Sequence, residues 1–260
     1  MQNVVNISKN ASLIFSRSGI CTDMCDALHD NESNLLLACS GGPDSAALIG
    51  AARVMLNRGL IKKVNVVHVN HNLRDEAMSD LETCRYQCKL LDFPFYSYDI
   101  YQSLVDGNLY QVARNLRYEI LQHHAKCNDL HVILTAHHAD DVAETLLMHL
   151  SRGCGVEGLC GVRQRHSSLG DVDVVRPFLK IRKKKLEDLC LKAGIKSCID
   201  KSNFNLEKSR AYVRHKIIPA LEVLNPSFVE HATKTAMIMQ GIVDKNIVPR
   251  RDSKTYRSQK

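Results

Sequence analysis

The chain has 260 residues, with 35 Lys+Arg against 28 Asp+Glu for a formal charge of +7, 45% hydrophobic residues and no Trp. That balance excludes a disordered or fibrous polymer, leaves room for one large or two modest packed domains, and favours a polyanionic partner without requiring one. Scarce aromatics argue against binding by extensive base stacking; no apolar run reaches membrane length, and Lys9, Arg17, Asp23 and Asp26 break any signal pattern, so a cytoplasmic protein without a membrane partner is expected.

Residues 1–34 are weakly periodic and predict a short helix on the domain edge, followed by the polar break Asp30-Asn-Glu-Ser-Asn34. Leu35 to Cys39 reads as a buried strand that runs into Ser40-Gly-Gly-Pro-Asp-Ser45, and a helix follows to about Asn57, closed by Arg58-Gly59. Such a junction aims N–H groups at one spot, where the helix dipole adds positive character, so an anion is expected there. Gly41 and Gly42 can take positive φ and admit a phosphate to the backbone, while Ser40 and Ser45 add hydroxyl donors. The Lys-Ser/Thr ending of the nucleotide-binding P-loop is missing. An ordinary turn with Asp44 or Ser45 as helix cap is the competing account.

A second buried strand spans Val64 to Val69 and ends in Asn70-His-Asn-Leu-Arg74, before a charged helix from about Glu76 to Leu91. Phe95 to Ile100 makes a third strand. The helix from about Leu109 sets Val112, Leu116 and Ile120 on one face and Arg114 with Arg117 on another. His131 to Thr135 is the fourth strand, and a helix from Ala139 to Ser151 follows. Strands alternating with helices across short connections predict an α/β fold with a parallel, doubly wound sheet. Ser40 to Ser45, His68 to Arg74 and Thr135 to Asp141 fall at carboxyl ends of strands and are expected to meet in one crevice.

Thr135-Ala-His-His-Ala-Asp-Asp-Val-Ala-Glu-Thr145 is the densest ionisable stretch. Acids at a helix start answer the dipole; carboxylates opposite a phosphate loop would instead hold Mg²⁺ or an amine, with His137 and His138 orienting a reacting group or merely capping the helix. Gly153-Cys-Gly-Val-Glu-Gly158 imitates a dinucleotide loop but follows a helix, so it fails that motif's context. Arg152, Arg163 and Arg165 suit an RNA backbone or a solvated surface. Ile181 to Gly194 is an amphipathic helix with a C-cap glycine, and its Arg182 to Lys185 run is a phosphate contact or a solvated face. A further helix is expected over Ser227 to Val243, ahead of a basic tail from Val248 to Lys260. The ten cysteines include no paired Cys-x-x-Cys, so reduced, mostly buried thiols are expected.

In combination these stretches resemble a known family. Ser40-Gly-Gly-Pro-Asp-Ser45 is similar to the SGGxDS pyrophosphate loop of N-type ATP pyrophosphatases. His68 to Arg74, Ala113 to Tyr118, Thr135 to Thr145, Arg152 to Leu159 and Arg176-Pro177 resemble, in order, the signature of the tRNA(Ile)-lysidine synthetase family. Asp200-Lys-Ser-Asn203 with Arg210, Arg214 and Pro219 continues the likeness, except that Ala211 stands where the family usually has Asn. The resemblance implies an adenine nucleotide alpha hydrolase-like domain over 35–218, an extension over 1–34, and a short helical C-terminal part over 219–260 where many members continue into further helical domains.

The implied reaction has two steps. ATP adenylates carbon 2 of the wobble cytidine of tRNA(Ile) with a CAU anticodon and pyrophosphate leaves; the ε-amine of L-lysine then displaces AMP. The resemblance implies ATP and Mg²⁺ as cofactors and admits a homodimer. ATP would engage Ser40, Gly41, Gly42, Pro43, Asp44, Ser45, His68, Arg114 and Arg117, with Asp44 also on the metal. Asp44, His137, Asp141 and Glu144 would be catalytic; Asp141 and Glu144 would hold lysine, and Arg152, Arg210 and Arg214 would meet substrate. A tRNA 2-thiocytidine synthetase shares the loop but needs cysteines for sulfur or a cluster, and an inactive nucleotide- or RNA-binding relic is the remaining alternative.

Overall fold

The computed structural model describes residues 2–70, 77–100, 109–167, 172–198 and 205–245. In chain order the elements are α1 Gln2–Arg17, α2 Ile20–Ala27, β1 Asn34–Cys39, α3 Pro43–Asn57, β2 Lys63–Asn70, α4 Ala77–Leu90, β3 Phe95–Asp99, α5 Leu109–Cys127, β4 Val132–Leu134 and α6 Ala139–Ser151. Then come α7 Val156–Leu159, β5 Arg165–His166, β6 Asp173–Val175, α8 Lys183–Ala193, α9 Ser209–Tyr212, a π-helical turn Val213–Ile217, α10 Ile218–Leu224 and α11 Phe228–Asp244. No helix among the described residues is long and apolar enough to cross a membrane.

Packing divides the chain into Met1–Ala139 with Gln164–Asn203, and Asp140–Arg163 with Phe204–Lys260. The first 34 residues form two helices rather than one, and their Ala11, Phe15, Ile20 and Met24 have no exposed surface. Phe15 fills the space a side chain at Gly50 would need: a Cβ there would stand 2.3 Å from its ring. Burial of that much apolar surface makes α1 and α2 part of the first unit's core.

The first unit is built on a six-stranded sheet in the order β3-β2-β1-β4-β6-β5, parallel throughout except for the β5/β6 pair. β1 lies in the middle, and its apolar run alternates between two cores: Leu35 and Leu37 pack with α1, α3 and α8 residues, Leu36 with α5 residues. A strand covered on both faces explains why it reads as continuous apolar sequence rather than as alternation. Gly194 closes α8 at φ 71°, as its position predicts. All ten cysteines are free thiols.

The second unit contains α6 from Asp140 onward with α7, α9, α10 and α11. Gly161, at φ 57°, lets the chain pass close by: a Cβ would stand 3.4 Å from Val142 Cγ1 and 3.5 Å from Ala236 Cβ. Gln240 Nε2 donates to the carbonyls of Cys160 and Val162, fixing the turn after α7 to α11.

Candidate active site

Within the first unit, Ser40 to Ser45, His68 to Asn70 and Thr135 to Ala139 lie at the carboxyl edge of the adjacent strands β1, β2 and β4. Residues 71–74 and Asp200 to Asn203 lie outside the described residues, and Asp140 and Asp141 belong to the second unit.

The loop is held from below. Gly41 takes φ 79°, and a Cβ there would stand 3.1 Å from Asp80 O and 3.4 Å from Cys84 Sγ, so only glycine fits. The Gly41 carbonyl accepts from Gln87 Nε2 at 3.1 Å and from the Cys198 N–H at 2.9 Å. In a planar trans peptide the next N–H points the opposite way, so tying down this carbonyl turns the Gly42 N–H away from its anchors. Gly42 itself is extended at φ −72°, ψ 168°, so only one of the two glycines uses the left-handed region.

Gly42 is also the N-cap of α3 and no side chain caps it, which leaves Asp44 and Ser45 inside the first turn rather than capping it. Ser45 Oγ donates to Gly42 O at 3.0 Å and accepts from the Ser40 N–H at 3.3 Å, closing the loop on itself. Pro43 carries no N–H, so the first-turn donors are those of Asp44, Ser45 and the preceding Gly42.

His138 and Asp44 face each other, Nε2 to Oδ2 at 3.7 Å, with Asp44 25% exposed and His138 buried. His137, the expected partner of a reacting group, shares a hydrogen bond with Thr135 Oγ1 at 2.9 Å. Adjacency along the chain does not tell which of the two rings turns to the loop. His68 is buried, and its Nδ1 lies 2.9 Å from Cys39 O. Burial holds this imidazole below its ordinary pKa, against the raising effect of that hydrogen bond, so the neutral form with Nδ1–H donating to Cys39 O is assigned.

Arg114 and Arg117 share a face of α5, over the buried Tyr118 ring at 5.1 and 5.7 Å. Arg176, just after β6, is the third guanidinium of the group. Burial would raise the Tyr118 hydroxyl, but Arg117, Arg114 and Arg176 outweigh it and bring its pKa below normal. Burial foremost, then the like charges of Arg114 and Arg176, makes Arg117 easier to deprotonate than a free guanidinium. Clustered positive charges of this kind favour an anionic ligand.

In the second unit, Asp141 and Glu144 are one turn apart on α6 and meet two arginines that lie four apart. Glu144 has no exposed surface; Oε2 accepts from Arg210 Nε at 2.8 Å and from an Arg214 terminal nitrogen at 3.0 Å, and Oε1 accepts from Arg214 Nε at 2.6 Å. Asp141 joins the same pair of arginines at longer range, 3.4 Å from Arg210 and 3.9 Å from Arg214. The acids and the arginines were both expected to meet substrate; the structure joins Asp141, Glu144, Arg210 and Arg214 in one network. Arg152 is exposed, whereas Arg163 pairs with Asp244 at 2.7 Å. In the first unit Arg165 bridges Glu32 and Asp173, so two of the three arginines considered for RNA hold the protein itself together.

A family model described as a PP-loop domain matches residues 18–221. Among curated proteins, the tRNA(Ile)-lysidine synthase of Buchnera aphidicola subsp. Schizaphis graminum is 34% identical over 203 residues, covering 78% of this chain and 45% of that protein. The "Bifunctional protein TilS/HprT" of Listeria monocytogenes is 34% identical over 208 residues, covering 77% and 31%. This chain thus spans less than half the length of these two relatives. Among solved structures, the U34-tRNA thiolase NcsA of Methanococcus maripaludis superposes with a TM-score of 0.69 at 14% identity, covering 85% of this chain and 78% of that one, a likeness of fold.

Proposed function

The chain belongs to the PP-loop domain family, and on that premise we propose that it carries the ATP-cleaving chemistry of tRNA(Ile)-lysidine formation. The supporting observation is the loop: Gly41 anchored through its carbonyl, the Gly42 N–H turned outward, and Ser45 bracing both ends at the start of a 15-residue helix. ATP would lay its β- and γ-phosphates there, so that negative charge building on departing pyrophosphate meets donors already in place. Asp44, at the mouth of the loop, would hold Mg²⁺, which characteristically uses one or two carboxylates with phosphates and water and would neutralise phosphate charge. Arg114, Arg117 and Arg176 would receive the α-phosphate. His68, kept neutral, adds no charge to the site.

The nucleophile of the first step would be the wobble cytidine of tRNA(Ile) with a CAU anticodon, adenylated at carbon 2, and L-lysine would then displace AMP. Asp141 would take the lysine ammonium. Glu144, fully occupied by guanidinium groups, would position Arg210 and Arg214 rather than touch the amine. Arg210, 46% exposed, and Arg152 offer positive charge to an RNA backbone. His137 would assist loss of the amine proton. The relatives named as lysidine synthases support this substrate set.

The test is incubation with ATP, Mg²⁺, radiolabelled lysine and a CAU-anticodon tRNA transcript. Label in the RNA, dependent on all components, is expected. Pyrophosphate release without label would assign the loop chemistry to another acceptor, and label with a wobble base other than cytidine would overturn the substrate reading.

A further inference from the structure

Several thiols gather under the phosphate loop, and the reaction proposed above uses none of them. Cys39 ends β1, one residue before the exposed Ser40, and Cys84 sits on α4. Their sulfurs are 3.3 Å apart and share a hydrogen bond, and both residues are buried. Cys39 Sγ lies 3.8 Å from Ser45 Oγ and 3.7 Å from Gln87 Oε1, which places the pair among the groups that brace the loop. Cys84 also limits Gly41, whose Cβ position stands 3.4 Å from its sulfur.

We propose that Cys39 and Cys84 form a reversible thiol–disulfide site, closed by a hydroperoxide and reopened by a dithiol, that sets whether the phosphate loop can hold its ligand. The ligand assignment rests on the function proposed above; the thiol chemistry does not. The hydrogen bond shared with Cys84, with burial opposing it and the Gly41 N–H adding to it, brings the Cys39 thiol below its ordinary pKa, while Cys84 is pushed far up. Cys39 keeps a little exposed surface and Cys84 has none, so Cys39 is the sulfur a peroxide reaches and the attacking one.

Its thiolate displaces hydroxide from hydrogen peroxide to give a sulfenic acid, the hydroxide taking up a proton. The Cys84 sulfur then attacks the sulfenic sulfur, an S–S bond forms, and water leaves with the Cys84 proton. Two thiols are oxidised by two electrons in all, and the peroxide is reduced to two waters. Closing the bond shortens the separation from 3.3 Å to about 2.05 Å. Because Cys39 Sγ stands against Ser45 Oγ and Gln87 Oε1, drawing the two sulfurs together moves groups that brace the loop, and the loop shifts with them.

The experiment treats the full native chain with hydrogen peroxide, blocks remaining thiols with N-ethylmaleimide, and maps disulfides by peptide mass spectrometry. Hydrogen exchange over residues 40–45 and affinity for a fluorescent ATP analogue are read on the same samples. A Cys39–Cys84 cross-link that dithiothreitol removes is expected, with altered exchange over 40–45 and nucleotide affinity reduced by about tenfold or more. Cys84→Ser abolishes both responses to peroxide and Cys88→Ser keeps them, while the wild-type map stands whether or not a variant folds. Absence of that cross-link under native conditions, or a cross-link that leaves exchange over 40–45 unchanged, overturns the proposal. Failure of the reduced protein to bind the nucleotide, with cross-link and exchange change intact, sinks the ATP reading and supports the thiol site.

Discussion

Replacing Glu144 by Gln probes the network that the structure reveals most unexpectedly. The native carboxylate receives three charge-assisted hydrogen bonds of 2.6, 2.8 and 3.0 Å while fully buried. Each such bond contributes about 1.5–3 kcal/mol in mutational series. Gln keeps the shape but offers only one oxygen, and its amide N–H₂ confronts the other guanidinium. Arg210 and Arg214 are 46% and 21% exposed and recover part of their hydration, which places the loss near the low end, about 3 kcal/mol. At roughly 2–4 °C per kcal/mol for a chain of this size, the melting midpoint falls by about 6–12 °C. Asp141→Asn disturbs longer contacts to the two arginines, 3.4 and 3.9 Å, and should cost less than Glu144→Gln. Urea titration of both variants, with Glu144→Gln/Arg214→Met to complete a double-mutant cycle, reads these terms directly. Equal losses for Glu144→Gln and Asp141→Asn, or a coupling near zero between Glu144 and Arg214, would refute the positioning role.

Gly41→Ala strains a residue at φ 79° and drives a methyl toward Asp80 O, so it should destabilise the chain by about 1–3 kcal/mol and abolish pyrophosphate release, whereas Gly42→Ala, whose nearest neighbour would stand 3.6 Å away, should leave the melting midpoint nearly unchanged. Asp44→Ala should abolish ATP-driven pyrophosphate release at any Mg²⁺ concentration, and undiminished release would remove its metal role. Acid stability tests the Arg165 bridge. Burial would raise Glu32, but Arg165 and the His29 N–H hold it below its ordinary pKa; Asp173 is likewise lowered, burial again being outweighed chiefly by Arg165. Depressed folded pKa values mean stability that is present above the unfolded carboxylate range and lost as pH falls through the folded values, so unfolding free energy should drop below about pH 4. Arg165→Met should be less stable at neutral pH and show a shallower acid slope; an unchanged slope would exclude the bridge as its origin.

β1, β2 and β4 were legible because each is a mostly buried, largely apolar run, whereas β3, mostly exposed, was legible from its aromatic Phe95-Tyr-Ser-Tyr98. β5 and β6 were not: two and three residues long, they are defined by the pairing of β6 to β4 and of β5 to β6, which no local pattern announces. The loop could be read as an anion site, yet Gln87 and the Cys198 N–H, which anchor Gly41, carry no sequence signal because they come from elements far along the chain. Likewise, the spacing of Arg210 and Arg214 was visible, and so was that of Asp141 and Glu144. Their pairing spans some 66 to 73 positions, where only tertiary structure decides which charge meets which. Helix α1 escaped as core because Phe15 finds its place through the absence of a side chain at Gly50, a complementarity invisible to periodicity.

The most direct measurement is the fate of the terminal phosphates. The chain is incubated with Mg²⁺, CAU-anticodon tRNA and ATP labelled at the γ-position, and the products are separated by thin-layer chromatography. Cleavage on the loop at Gly41 and Gly42 predicts label in pyrophosphate, with AMP accumulating once lysine is added. Label in inorganic phosphate, with ADP as its companion, would contradict it.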